Sequence, residues 1–161
     1  MRYLVLFFSS ILLFTACEKV ENPTTREDEL RNGKWAVSNV TIKYDPYVGT
    51  DTLYQVYQDQ YQDCHKDNYL VFLPNYQGTQ SNPTKCNSAE PSETSFQWKL
   101  EDNGNQIDFW AAEGTLFNRP DVSAPFVSYT DNSFAIRFVE LVTLPNTHQD
   151  TFTYTYTFRK F

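Results

Sequence analysis

Basic side chains are scarce in this sequence of 161 residues, which has 13 Lys and Arg against 20 Asp and Glu and a formal charge of −7. Because nucleic-acid binding needs clustered Lys and Arg, this balance argues against a nucleic-acid partner. The sequence also lacks a long hydrophobic run except at its N-terminus, and that run is too short to span a bilayer as a mature helix. A composition of 40% apolar and 20% charged residues is that of one globular domain, not of a disordered chain.

Recognisable catalytic motifs are missing as well. The sequence contains no G-x-S-x-G elbow, no phosphate-binding loop and no H-E-x-x-H zinc motif. Asp108 and Glu113 flank a predicted hairpin, but we expect both to be solvated acids on strand faces and not a catalytic pair. Lys66 and Asp67 are typical of an exposed pair at a turn. We therefore expect a protein that is not an enzyme and has no cofactor.

Aromatic residues, by contrast, are abundant, since 11 Tyr, 13 Phe and 3 Trp make up 17% of the chain. Many of them alternate with polar residues, which is the period of a β-strand. The clearest case is residues 151–161, where the aromatic residues from Phe152 to Phe158 share one face and threonines share the other. The remaining predicted strands are residues 35–44, 69–73, 96–101, 106–110, 113–117, 126–129 and 134–142.

These eight short segments, joined by turn residues, predict an all-β fold. Long exposed strand edges promote aggregation, so the segments are expected to close into a barrel or to form a two-sheet sandwich. Residues 53–66, rich in Tyr and Gln, are predicted to be a connection and not a strand. A single short helix is predicted over residues 25–32, with Thr24 or Thr25 as its cap and Gly33 at its end.

The N-terminus has the features of an export signal. Arg2 precedes an apolar stretch at residues 4–16, and the small residues Thr15 and Ala16 stand directly before Cys17. This segment resembles the lipobox of bacterial lipoproteins, which implies that Cys17 is lipidated and becomes the first mature residue. An ordinary secretory signal with an incidental cysteine is the alternative. We predict a signal peptide at residues 1–16, a lipidated cysteine with a polar tether at 17–32, and a domain at 33–161.

Two cysteines remain besides Cys17. An even remainder in an exported protein suggests one disulfide, between Cys64 and Cys86. Two free thiols are an alternative, and so is a zinc site that includes His65 and His148. The sequence has no C-x-x-C or H-x-x-x-H spacing, so no metal site is predicted.

Several short motifs follow one another along residues 33–161. They are Gly33-Lys34-Trp35, Cys64-His65-Lys66-Asp67-Asn68 before Leu70-Val71-Phe72, Asn75-Tyr76-Gln77-Gly78, Cys86, and Trp98-Lys99-Leu100. In this order they resemble the lipocalin-like domain of Bacteroidetes lipoproteins. The resemblance implies an all-β, eight-stranded antiparallel up-and-down barrel with its two cysteines bridged. It also implies a protein that is lipid-anchored to the outer membrane, on the periplasmic side or at the cell surface.

A barrel of eight strands is either filled by its own side chains or holds one small ligand. The aromatic residues predicted to face its interior are Trp35, Phe72, Trp98, Phe109, Phe138, Tyr154 and Tyr156. Our first hypothesis is a membrane-anchored, monomeric binding protein whose interior holds a small hydrophobic or aromatic ligand. The second is a solid barrel whose loops, at residues 53–64 and 119–125, contact another envelope protein or a glycan. An enclosed pocket of about 300 Å³ or more in the barrel interior, open at one end, would favour the first. A filled interior with an aromatic surface patch would favour the second.

Overall fold

A computed structural model describes residues 25–46, 49–56, 61–143 and 149–161, which are almost entirely β-structure. The predicted signal peptide, Cys17 and His148 lie outside the described residues, as does most of the predicted tether. Nothing in the described part therefore tests lipidation or the boundary of the signal peptide. No helix of the described residues is both long enough and apolar enough to cross a bilayer.

One α-helix, two short 3-10 turns and nine strands lie within these residues. They are α1 Arg26–Arg31, β1 Lys34–Asp45, β2 Thr52–Gln55, a 3-10 turn at Asp63–His65, β3 Tyr69–Phe72, β4 Gln77–Ser81, β5 Glu93–Glu101, a second 3-10 turn at Asp102–Gly104, β6 Gln106–Trp110, β7 Asp121–Thr130, β8 Ser133–Thr143 and β9 Gln149–Lys160. From β3 to β9, each strand pairs antiparallel with the next along the chain. One edge of β1 pairs with β9 and its first residues pair with β3, so eight strands close into an up-and-down barrel. The predicted fold class is confirmed.

Two of the predicted segments differ from the observed strands. Residues 113–117, predicted as a strand, belong to a turn-rich loop because the backbone turns sharply at Gly114, where φ is +79°. The missing barrel strand is instead β4, whose sequence Q-G-T-Q-S carries no apolar alternation. Its glycine, Gly78, lies against the ring of Phe96, where a Cβ atom would overlap the ring. The region predicted as a connection also contains β2, which pairs with the second half of β1.

Packed aromatic rings fill the interior of the barrel. The ring of Phe72 lies 5.1 Å from that of Trp98 and 5.9 Å from that of Phe96, measured between centroids. On the paired strands β8 and β9, Phe134 stacks on Phe158 at 4.6 Å. All five side chains are at most 2% exposed. Burial of such large apolar surfaces is the main force that closes the barrel.

Helix α1 covers one end of the barrel. Thr25 caps it as predicted, with its hydroxyl accepting from the backbone N–H of Asp28, and Leu30 is fully buried. The indole N–H of Trp35 donates to the carbonyl of Leu30 at 2.8 Å. On the other flank, the guanidinium of Arg26 lies 4.4 Å from the centroid of the Tyr129 ring. The last part of the predicted tether therefore packs on the barrel.

Candidate functional site

The seven aromatic residues predicted as a ligand-binding set lie together in the barrel. Six of them are buried, and Tyr154 is partly exposed at the end opposite α1. The ring of Phe138 lies 5.2 Å from Tyr154 and 5.7 Å from Tyr156. The indole N–H of Trp98 donates to the carbonyl of Gln77 at 2.7 Å. These residues are thus part of one packed aromatic core, and contact with a ligand stays a prediction.

The loop between β6 and β7 closes the end of the barrel opposite α1. Its residue Phe117 is 6% exposed and lies 4.8 Å from Phe109 and 5.4 Å from Tyr156, measured between ring centroids. The hydroxyl of Tyr156 donates to the carbonyl of Leu116 at 3.3 Å. Burial raises the pKa of Tyr156 to about 12. The loop therefore lies between the aromatic interior and the space outside this end of the barrel.

A cavity of about 600 Å³ lies on the outer side of this loop, bounded also by the β4–β5 loop and the segment before β3. This cavity lies outside the barrel interior, so it is not the interior pocket predicted for a hydrophobic ligand. The described residues that line it are Tyr61, His65, Asn68, Gln80, Asn82, Glu90, Pro91, Thr94, Glu113, Gly114, Thr115, Leu116 and Asn118. None of the seven predicted aromatic residues is among them.

A buried network of amides holds the walls of this cavity together. The Nε2–H of Gln80 donates to Oδ1 of Asn82 at 2.7 Å, and Nδ2–H of Asn82 donates to the carbonyl of Pro91 at 2.9 Å. The Oε1 atom of Gln80 accepts from the backbone N–H of Leu116 at 2.7 Å. Three separate pieces of chain are therefore joined by hydrogen bonds that are buried or half-buried.

Two residues that line the cavity each carry a buried polar atom with no hydrogen-bond partner in the described structure. These atoms are Oδ1 of Asn68, a residue that is 3% exposed, and Oγ1 of Thr94. The Nδ2 atom of Asn68 lies 3.4 Å from Nδ1 of His65, which leaves its oxygen as the unsatisfied group. A buried acceptor without a partner costs about 1–3 kcal/mol. Both atoms are closed off from solvent, so neither is open to a ligand in the cavity.

The predicted disulfide is present and fastens two walls of the cavity. Cys64 and Cys86 are bonded, with their Cα atoms 5.2 Å apart. The residue after Cys64, His65, lines the cavity, and the backbone N–H of Cys86 donates to Oε2 of Glu90 at 3.1 Å. Sulfur and nitrogen atoms of Cys64, His65 and Cys86 lie within 4.8 Å of one another, which is close enough for metal ligands. However, the two sulfurs are bonded to each other in the disulfide.

A second exposed feature lies where β1, β2, β8 and β9 continue beyond the closed barrel. Tyr44 stacks on Phe152 at 4.8 Å, and the Tyr44 hydroxyl donates to Oδ2 of Asp150 at 2.7 Å. Tyr54 of β2 is 45% exposed, and its neighbour Leu53 is 63% exposed. We call these five residues the aromatic flange. Its β2 residues fall within one of the two loops predicted to contact a partner.

The polar lining of the cavity was missed by sequence reasoning. Gln80 lies in the strand that has no apolar alternation, and Thr94 precedes the segment predicted as a strand. Asn68 belongs to one of the short motifs of the sequence, but a polar residue near a turn is usually solvated, so the motif alone does not predict a buried side chain. Its place in the motif from Cys64 to Asn68 is the signal that the sequence offers for this part of the cavity. Neither the protein-family models nor the curated proteins compared with this sequence give a match.

Proposed function

We propose that this protein is a lipid-anchored, lipocalin-like barrel of the cell envelope that binds a small polar ligand in the cavity at the end opposite α1. The observation that carries this proposal is the cavity itself, which has a volume of about 600 Å³ and is lined by the amide residues Asn68, Gln80 and Asn82. The hydrophobic ligand predicted from the sequence would lie inside the barrel. Aromatic rings are packed closely there, which supports the cavity at the end of the barrel as the binding site instead. The role is one of binding, not of catalysis.

The proposed orientation follows from the path of the chain. A lipid on Cys17 would hold the N-terminal side, and the described chain begins at Thr25 on the end that α1 covers. The cavity would therefore open away from the membrane surface and would be accessible to small molecules. This holds on the periplasmic side of the outer membrane and at the cell surface alike. A monomer would suffice, since the cavity is lined by a single chain.

Two measurements on protein purified from membranes test the proposal. Mass spectrometry is expected to find Cys17 as the N-terminal residue, carrying a diacylglycerol, and Cys17→Ala is expected to move the protein to the soluble fraction. Native mass spectrometry is expected to find a small molecule bound to the wild-type protein. An unlipidated Cys17 overturns the anchor. Wild-type protein that carries no small molecule and is not stabilised by any added one overturns the binding role.

The aromatic flange favours a second candidate function, as a contact surface for another envelope protein or a glycan. Exposed tyrosines make large contacts at low cost in side-chain entropy, and Tyr54 and Leu53 are both exposed there. A photo-crosslinking residue at position 54 is expected to capture a partner if this function holds. One at position 99, where Lys99 lies on β5 away from the flange, is the control. Capture at neither position leaves the cavity as the functional site.

A further inference from the structure

A second concave region lies on the outer wall of the barrel, where the first residues of β1 run beside the last residues of β9. It is a groove of about 680 Å³, lined by residues of both strands, by Phe161 and by Lys66 and Asp67, which precede β3. We call it the β1–β9 groove. No described residue lines both this groove and the end cavity. A role for the groove is therefore separate from the binding role proposed for the cavity.

Small side chains on β1 leave the space that forms the groove. Ala36 and Arg159 are cross-strand partners, and Ser38 lies where a β-bulge shifts the register of β1 against β9. The hydroxyl of Ser38 donates to the backbone carbonyl of Thr157 at 3.2 Å, which keeps this side chain close to the sheet. The methyl group of Ala36 and the short side chain of Ser38 thus lie between the longer side chains that line the same groove.

Positive charge is concentrated in the groove, although the chain as a whole has a formal charge of −7. Lys66, Arg159 and Lys160 line it, and Asp67 is the one acidic side chain among its described lining residues. The Oδ2 atom of Asp67 accepts a hydrogen bond from the hydroxyl of Thr84 at 2.6 Å. An excess of basic side chains in a concave site attracts anions. The groove therefore favours an anionic ligand, unlike the end cavity, whose described lining includes no lysine or arginine.

The three basic side chains differ in how freely they can meet a ligand. Arg159 is exposed, and no described residue forms a salt bridge with it. The ammonium group of Lys66 donates to Oδ1 of Asp63 at 2.8 Å, but Asp63 is 95% exposed, and surface pairs of this kind contribute little to stability. The stem of Lys160 packs over Gly33, where a Cβ atom would overlap it. Arg159 is therefore expected to be the main contact of an anion.

This set of groups favours a phosphate over a carboxylate. A phosphate monoester carries up to two negative charges and three acceptor oxygens, whereas a carboxylate carries one charge on two oxygens. The planar guanidinium of Arg159 can bind two phosphate oxygens side by side. The two lysines of the groove then supply charge for the rest of the phosphate. A single carboxylate would leave most of this positive charge uncompensated.

An apolar side chain beside the charges favours an organic phosphate over the inorganic ion. Phe161 is 67% exposed, and its ring meets that of Tyr69 edge to face, with 5.5 Å between the centroids. The exposed part of the Phe161 ring is open to the C–H groups of a ligand. The volume of the groove, about 680 Å³, is also in the range of sites for organic molecules and larger than a lone phosphate needs.

From these observations we infer that the β1–β9 groove binds a phosphate ester, with Arg159 as the main contact of the phosphate and Phe161 beside the organic part. Lys66 and Lys160 balance the charge of the phosphate. A soluble phosphate ester and the headgroup of an anionic phospholipid share this chemistry. The headgroup is a source only if Cys17 is lipidated as proposed, whereas binding of a soluble ester depends neither on that anchor nor on the end cavity.

Isothermal titration calorimetry on the mature protein in phosphatidylcholine nanodiscs measures the binding. The probes are glycerol 3-phosphate, inorganic phosphate and succinate. Glycerol 3-phosphate is expected to bind as one molecule per protein, more tightly than the other two, and to bind more weakly at high salt because the charges are screened. If the protein carries no lipid, the same titrations are made in buffer.

Two arginine variants form a matched pair for this measurement. Arg159→Gln removes the main contact and is expected to weaken binding of glycerol 3-phosphate about tenfold or more. Arg137→Gln removes an equally charged, exposed side chain on β8 that does not line the groove, so its affinity is expected to equal that of wild-type protein. Equal effects of the two variants, or no binding to wild-type protein, overturn the inference. Succinate that binds as tightly as glycerol 3-phosphate overturns the choice of phosphate.

Nanodiscs that also contain phosphatidylglycerol distinguish the two sources. If the headgroup occupies the groove, the melting temperature of wild-type protein rises in these nanodiscs and that of Arg159→Gln does not. Equal melting temperatures of wild-type protein in both kinds of nanodisc assign the groove to a soluble ester. A small molecule that native mass spectrometry finds on both wild-type protein and Arg159→Gln belongs to the end cavity. Failure of the groove to bind any probe would therefore leave the function proposed for the cavity intact.

Discussion

The ring of Phe117 lies 4.8 Å from the ring of Phe109, at the point where the β6–β7 loop meets the barrel interior. Its neighbours Thr115 and Leu116 line the cavity on the other side of the same loop. One loop thus completes the aromatic core with Phe117 and forms part of the cavity wall with the two residues before it. This relationship places the filled barrel interior and the end cavity on opposite sides of one loop.

Replacing Phe117 with alanine is expected to lower the free energy of unfolding by about 3 kcal/mol, because it leaves a hole beside Phe109 and Tyr156. The hole should also admit an apolar probe to the barrel. Fluorescence of N-phenyl-1-naphthylamine is expected to rise with this variant and not with wild-type protein. Phe161→Ala, at a residue 67% exposed, is the control and should change neither quantity much. Equal probe binding by wild-type protein would mean that its interior is already accessible.

Reduction of the Cys64–Cys86 bridge is expected to lower the free energy of unfolding by about 3 kcal/mol, because the bridge closes a loop with a sequence separation of 22. It should also weaken binding in the cavity, since His65 and Glu90 lie on the two walls that the bridge joins. Urea unfolding with and without reductant measures the first effect. The double variant C64A/C86A supplies the control, because reductant should leave its stability unchanged. An unchanged midpoint for reduced wild-type protein contradicts the prediction.

Trp35→Phe keeps an aromatic ring in the core but removes the indole N–H that donates to the carbonyl of Leu30. Loss of this buried hydrogen bond is expected to cost about 1–3 kcal/mol, because the carbonyl of a fully buried residue loses its partner. The loss should be concentrated in α1. Hydrogen exchange of the backbone amides of α1 is expected to accelerate more than that of β8. In Trp110→Phe, at a residue 38% exposed, both rates should stay close to those of wild-type protein.

The stability of the protein is expected to fall in alkali, and Tyr156 is one cause. Burial raises its pKa from the ordinary value of 10.0 to about 12, so the folded protein holds this proton more tightly than the unfolded chain does. The resulting stability, about 3 kcal/mol, is fully present below pH 10 and is lost progressively as the pH rises to 12.

Tyr156→Phe should therefore flatten the loss of stability above pH 10, as measured by urea unfolding at a series of pH values. At neutral pH the same variant should cost about 1 kcal/mol, because the hydrogen bond to the carbonyl of Leu116 is lost. Tyr129 and Tyr154 also have raised pKa values, so some alkaline dependence should remain. An identical pH profile for wild-type protein and Tyr156→Phe would contradict the assignment.

Local patterns were sufficient for most of the fold. The alternation from Phe152 to Phe158 predicted β9 and its inward face, and Thr25 predicted the start of α1. Both signals act between residues that are close in the chain, where side-chain direction and capping depend on local geometry. The antiparallel barrel followed, because alternating strands that bury one face must also pair their edges.

The cavity depended on contacts between residues far apart in the chain. Gln80 faces inward because Gly78 and Phe96 fit together across two strands, and the turn at Gly114 brings Leu116 to the Gln80 side chain. The strand or loop state of such polar segments is decided by their partners and not by their own periodicity. Whether Oδ1 of Asn68 finds a donor likewise depends on three-dimensional packing, which a linear pattern does not encode.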